Sequence, residues 1–538
     1  MSLNKRANGH AADAPVRKLT ALAVSALILT ACQSDPTGIV GGDSVDLEEA
    51  TLISQYDPNE ALPSDAAEGN IAAWSRIDFK RDETLALQAS AGSGYLRLDD
   101  LSNYLNAVMD RIVAAGPVPE VPVEVYVLDV RIPNAFASPD GAILVTMGML
   151  RNLRSEDELA ALLAHELAHV LYQHGRADWW LDAQKQLISV QALASDVFTD
   201  VKGEQAEEAE SDIDRLTVMS QAAHFMSETT LAPVYTRDQE DQADLMAVDL
   251  LDRAGYQHEA MSDVVNILAS AQAQLRERRR LSEKRMVQAL QTSLGVEDER
   301  IKTAVSEASN AVLDAWRTVF GENHRPPEER RKRLGDYLFY HYDTRARSAT
   351  VLPWADNTPQ NARASDLVQA SQGETLARIF DNYRLAEEAD TELAAGKLDT
   401  AEQLVRQAVS GPTQYAPYPR LTFYEVRNKQ GREDLAWRNL EIGMEGKQPS
   451  VIIYQKAIER AAQSGRIDTA MEISNAAQER LNDPVTLWPW RIWLLTQTGQ
   501  EREAIELQSK CRLRFPGELE DACRYGPNGR DEEEAAAL

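Results

Sequence analysis

One short stretch, "LLAHELAHVLYQHG" from Leu162 to Gly175, has the residue types and spacing for metal-assisted hydrolysis. His165 and His169 are four apart. On an α-helix that puts both imidazoles on one face, with a rise of about 6 Å between them. Two neutral imidazoles so placed can bind one divalent cation. Glu166, directly after the first, reaches a water beside that cation and can take its proton. His-Glu-x-x-His on a helix is the zinc-hydrolase spacing. The bland alternative is a core helix whose histidines are merely packed. It leaves two histidines and a glutamate unpartnered among apolar residues, and a buried unpaired charge is costly.

A zinc site that does chemistry takes three protein ligands and keeps a fourth position for water. The third ligand is expected at Glu240, in "RDQEDQAD" from Arg237 to Asp244. Glu240 and Asp244 share a helix face. Ala243 and Ala247 are small enough to let this helix approach the first. Asp244 is expected to accept the free N–H of a ligand histidine and so fix its tautomer. Should Glu240 not ligate, the acids between Glu208 and Asp214 come next. The cofactor expected is Zn2+, one per chain.

Two helices must carry these groups. Ser155 and Glu158 read as a capping box for the first, which Gly175 ends. Thr236 and Gln239 read as a second box, with Gly255 as the stop. Ahead of them, Leu98 to Ala114 is helical in pattern. "VPVEVYVLDV" (Val121 to Val130) alternates as a half-buried strand should. "AILVT" opens a second strand at Ala142, after a turn at "PDG" (Pro139 to Gly141). Residues 177 to 230 and 259 to 320 read as mostly helical. The run "RERRRLSEKR" (Arg276 to Arg285) reads as a solvated basic face.

The chain has 538 residues and a formal net charge of -29. That size allows several domains, and that charge repels a phosphate backbone, so no nucleic-acid partner is expected. Arg17 and Lys18 precede a 13-residue apolar run, Leu19 to Ala31, too short to span a bilayer and right for an export signal. It ends in "LTAC". This resembles the bacterial lipobox, which implies lipidation of Cys32 and, with Gln33 following, outer-membrane sorting. Residues 33–90 read as a tether. The remaining cysteines, Cys511 and Cys523, form an even pair, which in an exported protein suggests a disulfide.

Toward the C-terminus Gly396, Gly431, Gly465 and Gly499 are spaced 35, 34 and 34 apart. Each has an alanine five positions on: Ala401, Ala436, Ala470 and Ala504. Seven further come Ala408, Gly443, Ala477 and Cys511. A period of 34 with small residues where helices cross resembles the tetratricopeptide repeat. Expected boundaries are 1–32 signal peptide with lipobox, 33–90 tether, 91–350 metallopeptidase, 351–375 linker, 376–525 repeats and 526–538 acidic tail.

The motifs "NAFASPDG" (Asn134 to Gly141), "MGML", "HELAH" and "RDQEDQAD" with "AGY" (Ala254 to Tyr256) come in one order. It resembles that of the HtpX/Oma/CAAX-prenyl-protease-like zinc metallopeptidases. These are gluzincins, whose third ligand is a glutamate. With repeats following, the chain is similar to the periplasmic BepA-like type. The resemblance covers about 95 to 340 and 376 to 520. It implies an α+β, mostly helical fold: a gluzincin domain with a small β-sheet, then an all-α tetratricopeptide-like solenoid. The family's His-Pro-…-Arg motif is matched by His324 and Arg330, either of which could stabilise an oxyanion or regulate the site, although Arg325 stands where Pro is usual. The resemblance further implies polypeptide substrates, namely misfolded or misassembled envelope proteins in outer-membrane quality control. It implies assembly proteins as partners of the repeats, and a periplasmic location with a lipid anchor to the membrane. The strand Ala142 to Thr146 is expected to be the edge against which an extended substrate pairs. Truncation near Thr350 is expected to leave the metal site intact. The rival readings are a repeat scaffold or chaperone-like adaptor with a latent or structural zinc site, and an exopeptidase.

Overall fold

Four short strands form one sheet: β1 (Tyr95–Leu96), β2 (Glu124–Leu128), β3 (Ala135–Ala137) and β4 (Ala142–Thr146). Their spatial order is β1-β2-β4-β3, with β2 and β4 parallel and both outer pairs antiparallel. The computed structural model describes residues 94–116, 121–174, 212–220, 235–270, 326–342, 349–355, 363–447 and 450–514, with single helical positions at 85, 188, 191 and 195. Cys32, Cys523, His324, the tether apart from Leu85, the basic run at 276–285 and the acidic tail lie outside the described residues, as does most of 177–230.

The expected edge strand is not an edge. β4 is flanked on both sides, and all five of its residues are buried. The free edge next to it is β3, whose pairs Asn134·Thr146 and Ser138·Ala142 carry the hydrogen bonds to β4. Ala135 and Ala137 therefore turn their backbone groups outward. The signal was in the sequence: an unbroken apolar "AILV" marks a strand covered on both faces, while edges alternate.

Helix α1 (Asp99–Ala115) lies one residue from its expected bounds. Thr146 ends β4 and caps α2 (Met147–Asn152) through the Met149 N–H. Gly148 is required there, because a Cβ would come within 2.0 Å of the Arg131 carbonyl. Helix α3 (Glu156–Leu171) carries His-Glu-x-x-His, and all sixteen of its residues are buried. Its box is half formed: Ser155 accepts from the Glu158 N–H, while the Glu158 carboxylate turns to the Arg154 backbone and guanidinium. It ends at Leu171, before Gly175, because Gln173 takes the left-handed conformation (φ 53°) and the His174 N–H closes on the His169 carbonyl. Helix α4 (Arg237–Ala254) has its full capping box and ends on Gly255 at φ 79°. Helix α5 (Pro327–His341) packs beside α4.

Four helical hairpins follow: α6 (Ala370–Ala394) with α7 (Leu398–Ala408), α8 (Pro417–Lys429) with α9 (Glu433–Glu445), α10 (Val451–Gln463) with α11 (Ile467–Leu481), and α12 (Trp488–Gln497) with α13 (Glu501–Arg514). Each of the four periodic glycines sits in a hairpin turn at φ between 69° and 76°. The residue after each donates to a carbonyl five back, as Arg466 does to Ala461, which is a recurring Schellman closure. The small positions are buried where consecutive helices cross; a Cβ on Gly443 would meet Ile453 at 3.0 Å.

The sheet separates two apolar clusters. Val125, Val127, Ile143 and Val145 point toward α1, α3 and α4. Leu128, Val130, Phe136 and Leu144 belong to a second cluster, which also contains Leu216 and Met219 and the hairpin residues Tyr454, Trp488 and Trp490. The hairpins are thus not a separate body behind a linker. Residues 350 and 351 bridge to 363 and 155, Trp354 stacks on Phe380 at 4.2 Å, and Tyr383 donates to Asp129 at 2.7 Å. The Arg131 guanidinium lies 4.4 Å from the Tyr418 ring centre and pairs with Asp390. Leu376, Ile379, Phe380 and Tyr383 of α6 are buried in the cluster that contains α3.

At about 1.5–3 kcal/mol for each buried side chain, those four alone account for on the order of 10 kcal/mol. A whole domain is stable by only about 5–15 kcal/mol. This packing argues against the expected independence of the N-terminal region. Truncation near Thr350 should give insoluble or unfolded protein, measured as soluble yield and a cooperative melting transition; a folded, melting-competent fragment would refute the shared core.

Candidate metal centre

Helices α3 and α4 pack face to face and bring His165, His169 and Glu240 together, each buried. One ligand atom from each lies within 4.8 Å of the others. The two imidazole Nε2 atoms are 3.2 Å apart, and the Glu240 carboxylate is 3.6 Å from both. Among the described residues this is the one group with metal-binding geometry. The small Ala243 and Ala247, both fully buried, sit on α4 where it meets α3.

The outer atoms of the ligands are also occupied. His165 Nδ1 faces Asp244 Oδ1 at 3.1 Å, off the ideal hydrogen-bond axis. Asp244 is gripped by a fork from Arg330, with Nε donating at 2.8 Å and Nη2 at 2.7 Å. Arg330 is buried and its Nη2 is 3.5 Å from Glu240, so its guanidinium serves the two acids of α4. On the other ligand, His169 Nδ1 lies 2.9 Å from His174 Nδ1, and His174 Nε2 lies 3.1 Å from Gln242 Oε1. Tyr235 stacks on the His169 ring at 3.6 Å and donates to the Ala137 carbonyl at 2.8 Å.

His174, Gln242 and Tyr235 were not singled out from the sequence. His174 had a signal: three of the chain's eight histidines fall within ten residues. Tyr235 and Gln242 had none, because a lone tyrosine and a helical glutamine look alike wherever they sit.

Electrostatics favour a cation at this point. Burial alone would depress the His165 imidazolium, but Asp244 and Glu240 outweigh it and raise its pKa. Asp244 is held below the usual carboxylate range: burial pushes it up, and Arg330 and His165 more than reverse that. His169 is held neutral by burial and by its histidine neighbours, as a metal ligand must be. Glu166 is pushed up to about 7, chiefly by burial, and its Oε2 is buried with no hydrogen-bond partner among the described residues. When ionised, Glu166, Glu240 and Asp244 leave Arg330 two charges short. A divalent cation cancels both. Two imidazole lone pairs and a carboxylate converging in a buried space fit such an ion, and they fit little else.

Of the residues expected at the site, the structure joins His165, Glu166, His169, Glu240, Asp244 and Arg330 in one cluster. His324 lies outside the described residues. Cys511 is buried in α13 and disulfide-bonded, while Cys523, its expected partner, lies outside them.

Residues 100–331 match the model of peptidase family M48. The mitochondrial metalloendopeptidase OMA1 of Schizosaccharomyces pombe is 27% identical over 32% of this chain and 45% of its own. The beta-barrel assembly-enhancing protease of Yersinia pestis is 28% identical over 31% of this chain and 33% of its own. The metalloprotease YcaL of Escherichia coli is 24% identical over 47% of this chain and 85% of its own. The match thus spans less than half the length of the first two relatives. The matched segment contains α3, α4 and the start of α5, with every ligand and outer partner described above. By that match, and by the cluster its helices build, residues 100–331 of this chain are similar to peptidase family M48.

Proposed function

We propose that this protein is a zinc-dependent metalloendopeptidase of the bacterial cell envelope. The observation that carries the reading is the buried convergence of His165, His169 and Glu240 beside Glu166, whose Oε2 has no hydrogen-bond partner among the described residues. A structural metal needs no such base beside it. His165, His169 and Glu240 would hold the zinc, which when bound would supply Lewis acidity to a water and a peptide carbonyl. Glu166 then takes the water's proton and returns it to the departing amine nitrogen. Its burial leaves it poorly solvated and ready to accept that proton. Asp244, steadied by Arg330, orients His165.

The outward backbone groups of β3 run past this cluster, since the Ala137 carbonyl accepts from Tyr235 and its backbone is hydrogen-bonded to Glu166. An extended polypeptide pairing there passes over the metal ligands, which selects backbone more than sequence. Pairing at Ala137 requires the Tyr235 hydroxyl to release its carbonyl. The four hairpins read as tetratricopeptide-like repeats, supported by their period and their small crossing residues. Relatives named as assembly-enhancing proteases support envelope quality control as the setting, with misassembled envelope proteins as substrates and assembly proteins as partners of the repeats. No helix among the described residues is long and apolar enough to cross a membrane. A lipid on Cys32 is the anchor we propose.

Glu166→Gln should retain zinc and fold yet lose nearly all cleavage of an unstructured polypeptide, because the ligands stay and only the proton acceptor goes. Zinc content and turnover on one preparation decide it, and turnover close to wild type would defeat the mechanism.

Glu240→Gln should lose most zinc affinity. Asp244→Asn should lose about 10–100-fold, as for an outer partner of a ligand histidine. Arg330→Met, which strands a buried carboxylate, should cost about 3–5 kcal/mol of stability. Chelator competition and thermal melting read these effects. If Glu240→Gln bound zinc normally, the third ligand would have to be sought among 208–214.

Cys32→Ser should move the protein from the membrane fraction to the soluble one with zinc content unchanged. A wild-type protein already found in the soluble fraction would end the anchor proposal.

A further inference from the structure

We infer that His174 is a positioning residue for the metal centre, holding His169 through a directional relay that ends on Gln242. The inference rests on the reading of His165, His169 and Glu240 as a metal site, and it concerns a residue to which that reading gives no part.

The direction follows from donor and acceptor arithmetic. To ligate through Nε2, His169 must present a lone pair there, so its proton sits on Nδ1. That proton has one partner, His174 Nδ1 at 2.9 Å. His174 must then offer a lone pair at Nδ1 and carry its own proton on Nε2. Its Nε2 is 3.1 Å from Gln242 Oε1, which can only accept. Each link satisfies the next: the Gln242 oxygen accepts from His174, which accepts from His169, whose Nε2 lone pair faces His165 and Glu240. Run backwards, the chain sets a lone pair of His174 against the amide oxygen. It also puts a proton on His169 Nε2, 3.2 Å from His165 Nε2. The forward direction is the one that leaves both imidazoles able to ligate.

The backbone is built to deliver this ring. After α3 the chain turns on left-handed Gln173, and the His174 N–H closes on the carbonyl of His169 itself. Main chain and side chain of His174 thus both bond to the same residue. Tyr172 stacks against its ring at 5.3 Å, nearly parallel. Gln242 lies between Glu240 and Asp244 on α4, so one turn of that helix supplies a ligand, the outer partner of His165 (Asp244) and the acceptor for His174, the outer partner of His169. The two partners are unlike: His165 faces an anion, His169 a neutral ring.

The test compares two variants of nearly equal size in the full chain. His174→Asn keeps an acceptor near the position of Nδ1; His174→Leu does not. Zinc affinity, by chelator competition on the metal-free protein, should stay close to wild type for Asn and fall about 10–100-fold for Leu. Equal affinities in the two folded variants would overturn the inference. Should the Leu variant fail to fold, Gln242→Leu decides: it removes the terminal acceptor, and an unchanged zinc affinity overturns the relay. A wild-type chain that binds no zinc would instead refute the metal site on which the inference stands.

Discussion

Six ionisable side chains lie on one fully buried helix, and the rest of the domain is arranged to satisfy them. Helix α3 buries Glu156, Asp157, Glu158, His165, Glu166 and His169. A buried ionisable group without a partner costs several kcal/mol. Most of them therefore call in a partner from another turn or a remote segment. Glu156 accepts from Tyr104 and Tyr256, and Asp157 from the backbone N–H groups of Gln257 and Thr350. Glu158 binds Arg154. His165 meets Asp244, and His169 meets His174. The helix is pinned at its first turn by α1, by the chain after α4 and by the strand-like stretch near 350. It is pinned at its last turn by α4 and its own C-terminal turn. Glu166 is the member whose outer oxygen finds no partner among the described residues. A site is where a helix this demanding leaves a group for something that is not protein.

The same logic explains why the hairpins pack against the sheet. The sheet is too small to make a core alone. Its strands are two to five residues long, and the central one is apolar on both faces. One face is used up by the helices of the metal centre. The other joins a cluster that reaches Trp488 and Trp490. The positions of the ligands thus depend on the first face, and the first face on the sheet being covered behind. Arg131 and Asp129, between β2 and β3, tie this arrangement to Asp390, Tyr418 and Tyr383 by charge and hydrogen bond.

How much of this was legible depended on whether the signal was local. His165, Glu166 and His169 declare themselves by spacing, and the α4 cap by Thr236 and Gln239. The hairpin glycines are visible because a left-handed turn recurs at a fixed period. The burial of β4 was also there to be read, in four successive apolar residues, although strand order was not. What stayed hidden was pairing at a distance: Tyr235 on Ala137, Trp354 on Phe380, and Tyr383 on Asp129, 254 positions away. No local pattern marks such pairs, because either partner alone is an ordinary polar or aromatic residue. His174 lies between the cases. Its place in a histidine cluster was visible, but its turn back onto His169 comes from a left-handed glutamine, a residue that does not advertise that conformation.

Unequal partners on the two ligand histidines have a further consequence. The Asp244 carboxylate, although neutralised in part by Arg330, makes His165 the more electron-rich donor. The neutral His174 leaves His169 less so, with Tyr235 stacked on its face and the Ala137 edge just beyond. The side of the cluster nearest the free strand edge is therefore the less charged one, while the acids and the guanidinium lie at the junction of α4 and α5. On the function proposed above, a polypeptide along β3 would meet an imidazole, a phenol and a single buried glutamate, and would not have to displace the ion pairs that Arg330 makes with the acids of α4.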